Sequence, residues 1–320
     1  MLNRRFLRIK VLQALYAYLE SGDTNVTNGI KNLLESIDKL QELFVWQLSF
    51  LVETKRFADN KITDNRHKFI PTYEDLHPNM RYVENRVINA IENNKDFQKK
   101  EAGYCINWGG MGSEVVKNYY NIMRDAEEYK AYMSDSVDNW DHDKKFLATM
   151  IEAYYADLEV LQDFYEEKSI YFCDDYHLVS SMLLKYLNEL KKLDVDTKLP
   201  TIYKTENDEI NVDEEFVKKL FRETLRHGEE FGQLIAENTN NWEKERICVM
   251  DMIIMKMAIT ELVCFSEIPV KVTMNEYIEI SKYFSTPKSK NFINGLLDRL
   301  LKKMTEEGKI EKKGLGLLDK

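Results

Sequence analysis

Proline and glycine are scarce in this chain of 320 residues: five of the former and twelve of the latter. No proline falls between Pro78 and Pro200, so nothing in that span breaks a helix by removing a backbone donor. Runs of alternating β-branched residues are nearly absent as well. That excludes a sheet-based core, whereas Leu, Lys, Glu, Met and Tyr abound. The chain reads as all-α, and its length allows one to three domains. No stretch approaches the run of about 18 apolar residues that a spanning helix needs. No charged-then-apolar leader ends in small residues either, so neither a membrane span nor a secretion signal is expected. The four cysteines, Cys105, Cys173, Cys248 and Cys264, lack any C-x-x-C spacing. Reduced, mostly buried thiols in a cytoplasmic protein are the expectation.

Positive charge is also short overall, with a net charge of −10, but it is unevenly placed. Residues 1–19 hold Arg4, Arg5, Arg8 and Lys10 with no acid, a charge of +4, and residues 282–320 carry +5, which leaves −19 on the middle. Cations at the two ends of an acidic body suit a localised nucleic-acid footprint. The periodicity predicts a first helix from Asn3 to Glu20, with Leu7, Val11, Ala14, Leu15 and Tyr18 on its apolar side. Arg4, Arg8 and Lys10 fall mostly off that side, towards solvent or a ligand. A second helix is predicted from Val26 to Ala58, residues 94–113 read as irregular, and a long segment from Asp143 to Glu167 places Phe146, Tyr154 and Tyr165 on a core face. Asp174 and Asp175 read as caps of the following helix, and Asp213 as the cap of another. From Glu243 to Phe265 the sequence is apolar nearly all round, as a helix at the centre of a bundle is. Thr273 and Glu276 have capping-box spacing, and Thr286-Pro287 suits the N-cap and first position of a last helix.

Several patterns that invite a catalytic or metal reading carry none. Trp108-Gly109-Gly110-Met111-Gly112 lacks the G-K-[ST] ending of a nucleotide loop and follows no strand, so it reads as a loop. The five histidines, His67, His77, His142, His177 and His227, are far apart, with no ligand spacing to Cys, Asp or Glu. No nucleophile constellation appears. No cofactor and no metal is implied, and the chain does not read as an enzyme.

The most specific stretch is IPVKVTMNEYIEISKYFSTPKSKNFINGLLDR, Ile268 to Arg299. It encodes two helices joined by a short basic turn that offers a ring. RRFLRIKVLQALYAY, MDMIIMKMAITEL, IPVKVTMNEYIEISKYF and KSKNFINGLLDRL together resemble the NusB transcription antitermination factors, in order and in spacing. Together with residues 213–245, the resemblance covers about 110 of the 320 residues. It implies an N-terminal arginine-rich helix over 1–20, an acidic helical insertion over 21–212 and the C-terminal helices of a NusB-like bundle over 213–305, while the tail over 306–320, rich in Lys, Glu and Gly, reads as disordered from its composition. The resemblance further implies a non-enzymatic factor that pairs with NusE, a small-subunit ribosomal protein. The pair would bind single-stranded box A RNA of ribosomal RNA leader transcripts within the RNA polymerase antitermination complex.

Carried over by position, the RNA-binding candidates are Arg4, Arg5 and Arg8, Tyr16 and Phe292; Lys10 beside them on the arm and Lys288 and Lys290 of the basic turn join them by charge. Asp251 matches an acidic partner-binding position. Lys288 stands where many relatives have an acid, which by charge alone favours RNA and reduces discrimination. Cations neutralise phosphates while an unburied ring stacks on a base, so these residue types suit single-stranded RNA. Two other readings stay open: an accessory to ribosomal RNA processing or methylation, and a helical protein-interaction adaptor.

Overall fold

A computed structural model describes residues 4–155, 157–203, 205–206, 210–239 and 247–318, with the side chains of 205, 206, 210, 287 and 288 outside that description. In chain order the α-helices are α1 (Arg4–Glu20), α2 (Val26–Arg66), α3 (Tyr73–Leu76), α4 (Arg86–Glu92), α5 (Lys95–Gly103), α6 (Met111–Asp125), α7 (Glu127–Ser134), α8 (Trp140–Met150), α9 (Glu159–Lys168), α10 (Ile170–Glu189), α11 (Val212–Arg226), α12 (Gly228–Glu237), α13 (Val249–Cys264), α14 (Val270–Phe284) and α15 (Pro287–Glu306). The fold is all-α. Its one extended feature among the described residues is a two-residue antiparallel ribbon, Thr205–Glu206 against Ile210–Asn211.

The chain divides into two compact units: Met1–Ile37 with Tyr203–Lys320, and Asp38–Ile202. In the first, α13 is the central helix and packs on α1, α11, α12, α14 and α15. Ile253, Ile254, Met257, Ala258, Ile259 and Leu262 are all buried, as a helix apolar on every side requires. α1 meets α2 and α11 at a close approach. A Cβ on Gly29 would stand 2.7 Å from Phe221 and 2.8 Å from Tyr18, so only glycine fits there. α15 starts as its sequence predicts, with Thr286 as N-cap accepting from the Ser289 amide at 3.2 Å and Pro287 in the first turn. α14 does not. It opens at Val270 behind Pro269, and Thr273 lies inside the helix with its hydroxyl committed to Glu261.

The second unit is built on rings. Phe50 lies within 5.1–5.4 Å of Trp108, Tyr119 and Tyr155, centroid to centroid. Trp108 stacks on Phe164 at 5.1 Å while its indole N–H donates to Ser49 at 3.0 Å. The glycine-rich Trp108 segment is thus anchored by its tryptophan in an apolar core. Residues 94–113, expected to be irregular, hold α5, because Asn94 caps it through the Phe97 amide at 2.8 Å. The segment after α8 widens into a π turn at Ile151–Tyr155. That extra residue moves the register, so Tyr155 is buried, while Tyr154, expected in the core with Phe146 and Tyr165, faces outward enough to donate to Glu128 at 2.8 Å.

Other expectations shift for equally local reasons. Ser169 and Asn211, not Asp174, Asp175 or Asp213, cap α10 and α11. The four cysteines are free, but Cys105, Cys173 and Cys248 are exposed and Cys264 is half-buried, so the expectation of mostly buried thiols fails. Of the tail expected to be disordered, residues 312–316 lie against the loop between α13 and α14. Lys313 donates its amide to Ser266 at 3.0 Å, Lys312 its ammonium to the Phe265 carbonyl at 2.9 Å, and a Cβ on Gly316 would collide with the Ser266 carbonyl at 2.0 Å.

Candidate nucleic-acid interface

α1 carries its arginines on two faces. Arg8 points inward: it is 2% exposed, and its fork meets both oxygens of Glu261, itself 0% exposed, at 2.7 Å each. Thr273 and Tyr277 donate to the same carboxylate at 2.9 and 3.2 Å, so every oxygen of Glu261 is doubly satisfied. A charge pair can be buried when its geometry is bidentate and its remaining sites are filled. Burial works against the Arg8 charge, but the bonds from Glu261 override it and hold its pKa above the ordinary value. Burial, then the Glu261 charge, holds the Tyr277 phenol well above its own. Lys10 is also buried, at 4% exposure. The solvent-facing position expected for Arg8 and Lys10 is therefore not found: α1 packs on α11, α13 and α14, Arg8 is drawn in by Glu261, and Lys10 is covered on a different face of the helix. Asp251 is likewise inside. It accepts the Ser285 hydroxyl and joins the start of α13 to the end of α14, which corrects its expected place on a working surface.

Arg4 and Arg5 stay partly exposed. Arg4 lies 5.2 Å above the Phe216 ring and reaches Asp213 at 3.4 Å. Arg5 grips Glu276 of α14 with two bonds of 2.9 Å, which raise its pKa. Tyr16 is exposed eleven residues further along α1. At 3.6 residues per turn that is three turns, so Tyr16 shares the Arg5 side of the helix.

Glu279 lies three residues beyond Glu276 on α14 and pairs with Lys282. A hydrogen bond from Lys282 is the main cause that holds this carboxylate below its usual range, opposed by slight burial, and the charges of Arg5 and Lys290 add to it. Lys290, on the first turn of α15, is half-buried. The Lys288 side chain lies outside the described residues. Phe292 is half-buried, whereas Tyr283, at 74% exposure, offers a full ring four residues after Glu279 and seven after Glu276, on the same face of α14. Sequence reasoning named Phe292 and missed Tyr283. The signal was there: in α14 the inward positions are Thr273, Tyr277, Ile280 and Ser281, and Tyr283 falls off that stripe.

The result is a surface that mixes cations with an exposed ring, and Arg4, Arg5 and Lys282 are each already held by an acid. A polyanion arriving here competes with Glu276 for Arg5 and with Glu279 for Lys282. Such exchange suits a ligand with several phosphates spaced along a strand better than one compact anion.

A family model described as the NusB family matches residues 177–302, a stretch that begins inside the segment read as an insertion. A curated relative from Salinibacter ruber (strain DSM 13855 / M31), "Transcription antitermination protein NusB", is 39% identical over 133 residues, which are 42% of this chain and 83% of that protein. Proteins of the same name from Chloroherpeton thalassium (strain ATCC 35110 / GB-78) and Desulforamulus reducens (strain ATCC BAA-1160 / DSM 100696 / MI-1) are 35% and 41% identical. The matches cover 33% and 27% of this chain, and 50% and 61% of those proteins. No solved structure matches the chain. Among the described residues no helix is long and apolar enough to cross a membrane.

Proposed function

The chain belongs to the NusB family, and we propose that it acts as an RNA-binding transcription antitermination factor. In this reading it binds single-stranded box A RNA of ribosomal RNA leader transcripts together with NusE, and the complex helps RNA polymerase resist termination. The observation that carries the proposal is the two-bond Arg5–Glu276 pair at 2.9 Å, which fixes the arm on α14, with the Lys282–Glu279 pair and the exposed Tyr283 ring on the next turns of the same helix. Arg4, Arg5, Lys282 and Lys290 position the RNA backbone, and Tyr283 with Tyr16 stacks on splayed bases. Arg8 and Lys10 serve the site from beneath by fixing α1. The part of the inserted region ahead of the family match, residues 21–176, has a role that the family does not define, and no catalytic role is proposed.

The test is a titration of labelled box A RNA on the purified chain, with and without NusE, across salt concentrations. Four phosphate contacts give a slope of log affinity against log salt of roughly −3. The double substitution Arg4→Ala with Arg5→Ala should reduce that slope to about half. A flat salt response, or affinity untouched by the double substitution, would sink the RNA reading and leave the protein-interaction adaptor as the better account.

A further inference from the structure

A second constellation lies at the C-terminal end of α11. Glu223 and His227 are four residues apart, one above the other on the helix, and packing of α11 on α13 brings the last residue of α13, Cys264, up to them. One ligand atom from each residue, a carboxylate oxygen, an imidazole nitrogen and the thiol sulfur, lies within 4.8 Å of the others, and all three residues are half-buried. His227 Nε2 is 3.6 Å from Glu223 Oε2.

The surroundings favour a ligand role for that nitrogen. The other ring nitrogen, Nδ1, is 3.1 Å from Glu230. A carboxylate at Nδ1 keeps the proton there and turns the Nε2 lone pair towards Glu223 and Cys264, the orientation that metal-binding histidines receive from an outer carboxylate. The imidazole is also stacked on Phe231 at 5.1 Å and 17°. Lys219 donates to the Cys264 carbonyl at 2.7 Å and so ties the cysteine backbone to α11.

We propose that Glu223, His227 and Cys264 bind a borderline-soft divalent cation of the zinc class, with solvent in the fourth position. Oxygen, nitrogen and sulfur together match zinc, whereas magnesium and calcium take oxygen alone. Bonds of about 2.0–2.3 Å put tetrahedral ligand atoms on the order of 3.5 Å apart, a contraction that side-chain torsions can supply. The ligand form of cysteine is the thiolate, so on binding the Cys264 thiol proton passes to solvent and the sulfur lone pair forms the metal bond. One thiolate and one carboxylate neutralise the dication. Arg226, which sits 3.6 Å from Glu223, moves out to the solvent it already faces.

The full chain, stripped with a chelator, is titrated with zinc chloride by calorimetry and with cobalt(II) by absorption. One equivalent of zinc is expected per chain, and cobalt should show a thiolate charge-transfer band with the strong visible bands of a four-coordinate ion. His227→Ala and Cys264→Ser should each weaken binding at least tenfold and remove the rise in melting temperature that zinc gives the parent chain. Glu230→Gln, which leaves all three ligands in place, should weaken it less. Cys105→Ser and Cys173→Ser should change nothing. No saturable zinc binding, a cobalt complex without the thiolate band, or equal affinity in Cys264→Ser would overturn the assignment. None of these readouts depends on RNA.

Discussion

Where the first unit hides an arginine against a carboxylate, the second hides rings against rings. Arg8 and Glu261 join α1, α13 and α14 through one ion pair and two hydroxyls, residues 253 positions apart in sequence. Trp46, Phe50, Trp108, Tyr119, Tyr155, Phe164 and Tyr165 form a continuous aromatic cluster in the other unit. The two devices differ in what they tolerate. A buried ion pair is satisfied in one register only, since a slipped helix strands a charge. Ring contacts accept offset and tilted geometries at similar energies. The unit that carries the candidate RNA surface therefore has its arm fixed by the less forgiving device. That fits a surface whose residues come from both ends of the chain.

Removing one partner of the ion pair should have the largest effect in the first unit. Glu261→Ala takes the two-bond partner from a buried Arg8, leaves it only Glu276 at 3.9 Å, and should cost about 4 kcal/mol. The double change Arg8→Met with Glu261→Met should cost about 2 kcal/mol, because only the Thr273 and Tyr277 hydroxyls then lack a partner. In the aromatic unit, Phe50→Ala should cost about 4 kcal/mol through the cavity it opens. Three of the four tryptophans, Trp46, Trp108 and Trp140, lie in the aromatic unit. Urea unfolding followed by fluorescence should therefore register Phe50→Ala, and far-ultraviolet circular dichroism alone should register Glu261→Ala. If both probes move together for both variants, the units unfold as one and the contrast between them disappears.

Periodicity found most of the helices, because 3.6-residue spacing is a local property. It also placed the all-apolar α13 at the centre of its bundle and the Thr286-Pro287 start of α15. What it missed was non-local. A helical wheel marks Arg8 as off the apolar stripe; only the arrival of Glu261 makes burial of a guanidinium affordable. Tyr154 and Tyr155 exchanged roles because a π turn inserts a residue that no spacing rule announces. Thr273 looked like a cap and is instead a donor to Glu261. His227 had Glu223 four residues before it, but its sulfur neighbour is 37 residues away and is delivered by helix packing.

The ring that serves RNA separates the sequence-based choice from the structural one. On the proposed function, Tyr283→Ala should reduce RNA affinity by about 2 kcal/mol, the value of one lost stack, and leave stability within about 0.5 kcal/mol, as an exposed side chain should. Phe292→Ala should do the reverse, losing stability with little loss of affinity. Paired RNA titrations and urea curves on the two variants decide it. If Phe292→Ala loses the affinity and Tyr283→Ala does not, the stacking residue is the one the resemblance named.

The smallest expected effect asks whether the units differ in their cores or throughout. Each has a helix closed by a hydroxyl N-cap: Thr286 accepts from Ser289 at 3.2 Å and Ser169 from Tyr171 at 3.3 Å. A cap is a local bond to a local donor, so its loss should be indifferent to what fills the core behind it. Thr286→Ala and Ser169→Ala should each cost about 1 kcal/mol, measured by the probe that reports their own unit. Equal losses would confine the difference to how the interiors are keyed. A much larger loss at Thr286 would mean that the first turn of α15, and with it Lys290, is held by its cap alone, and RNA affinity should then fall in the same variant.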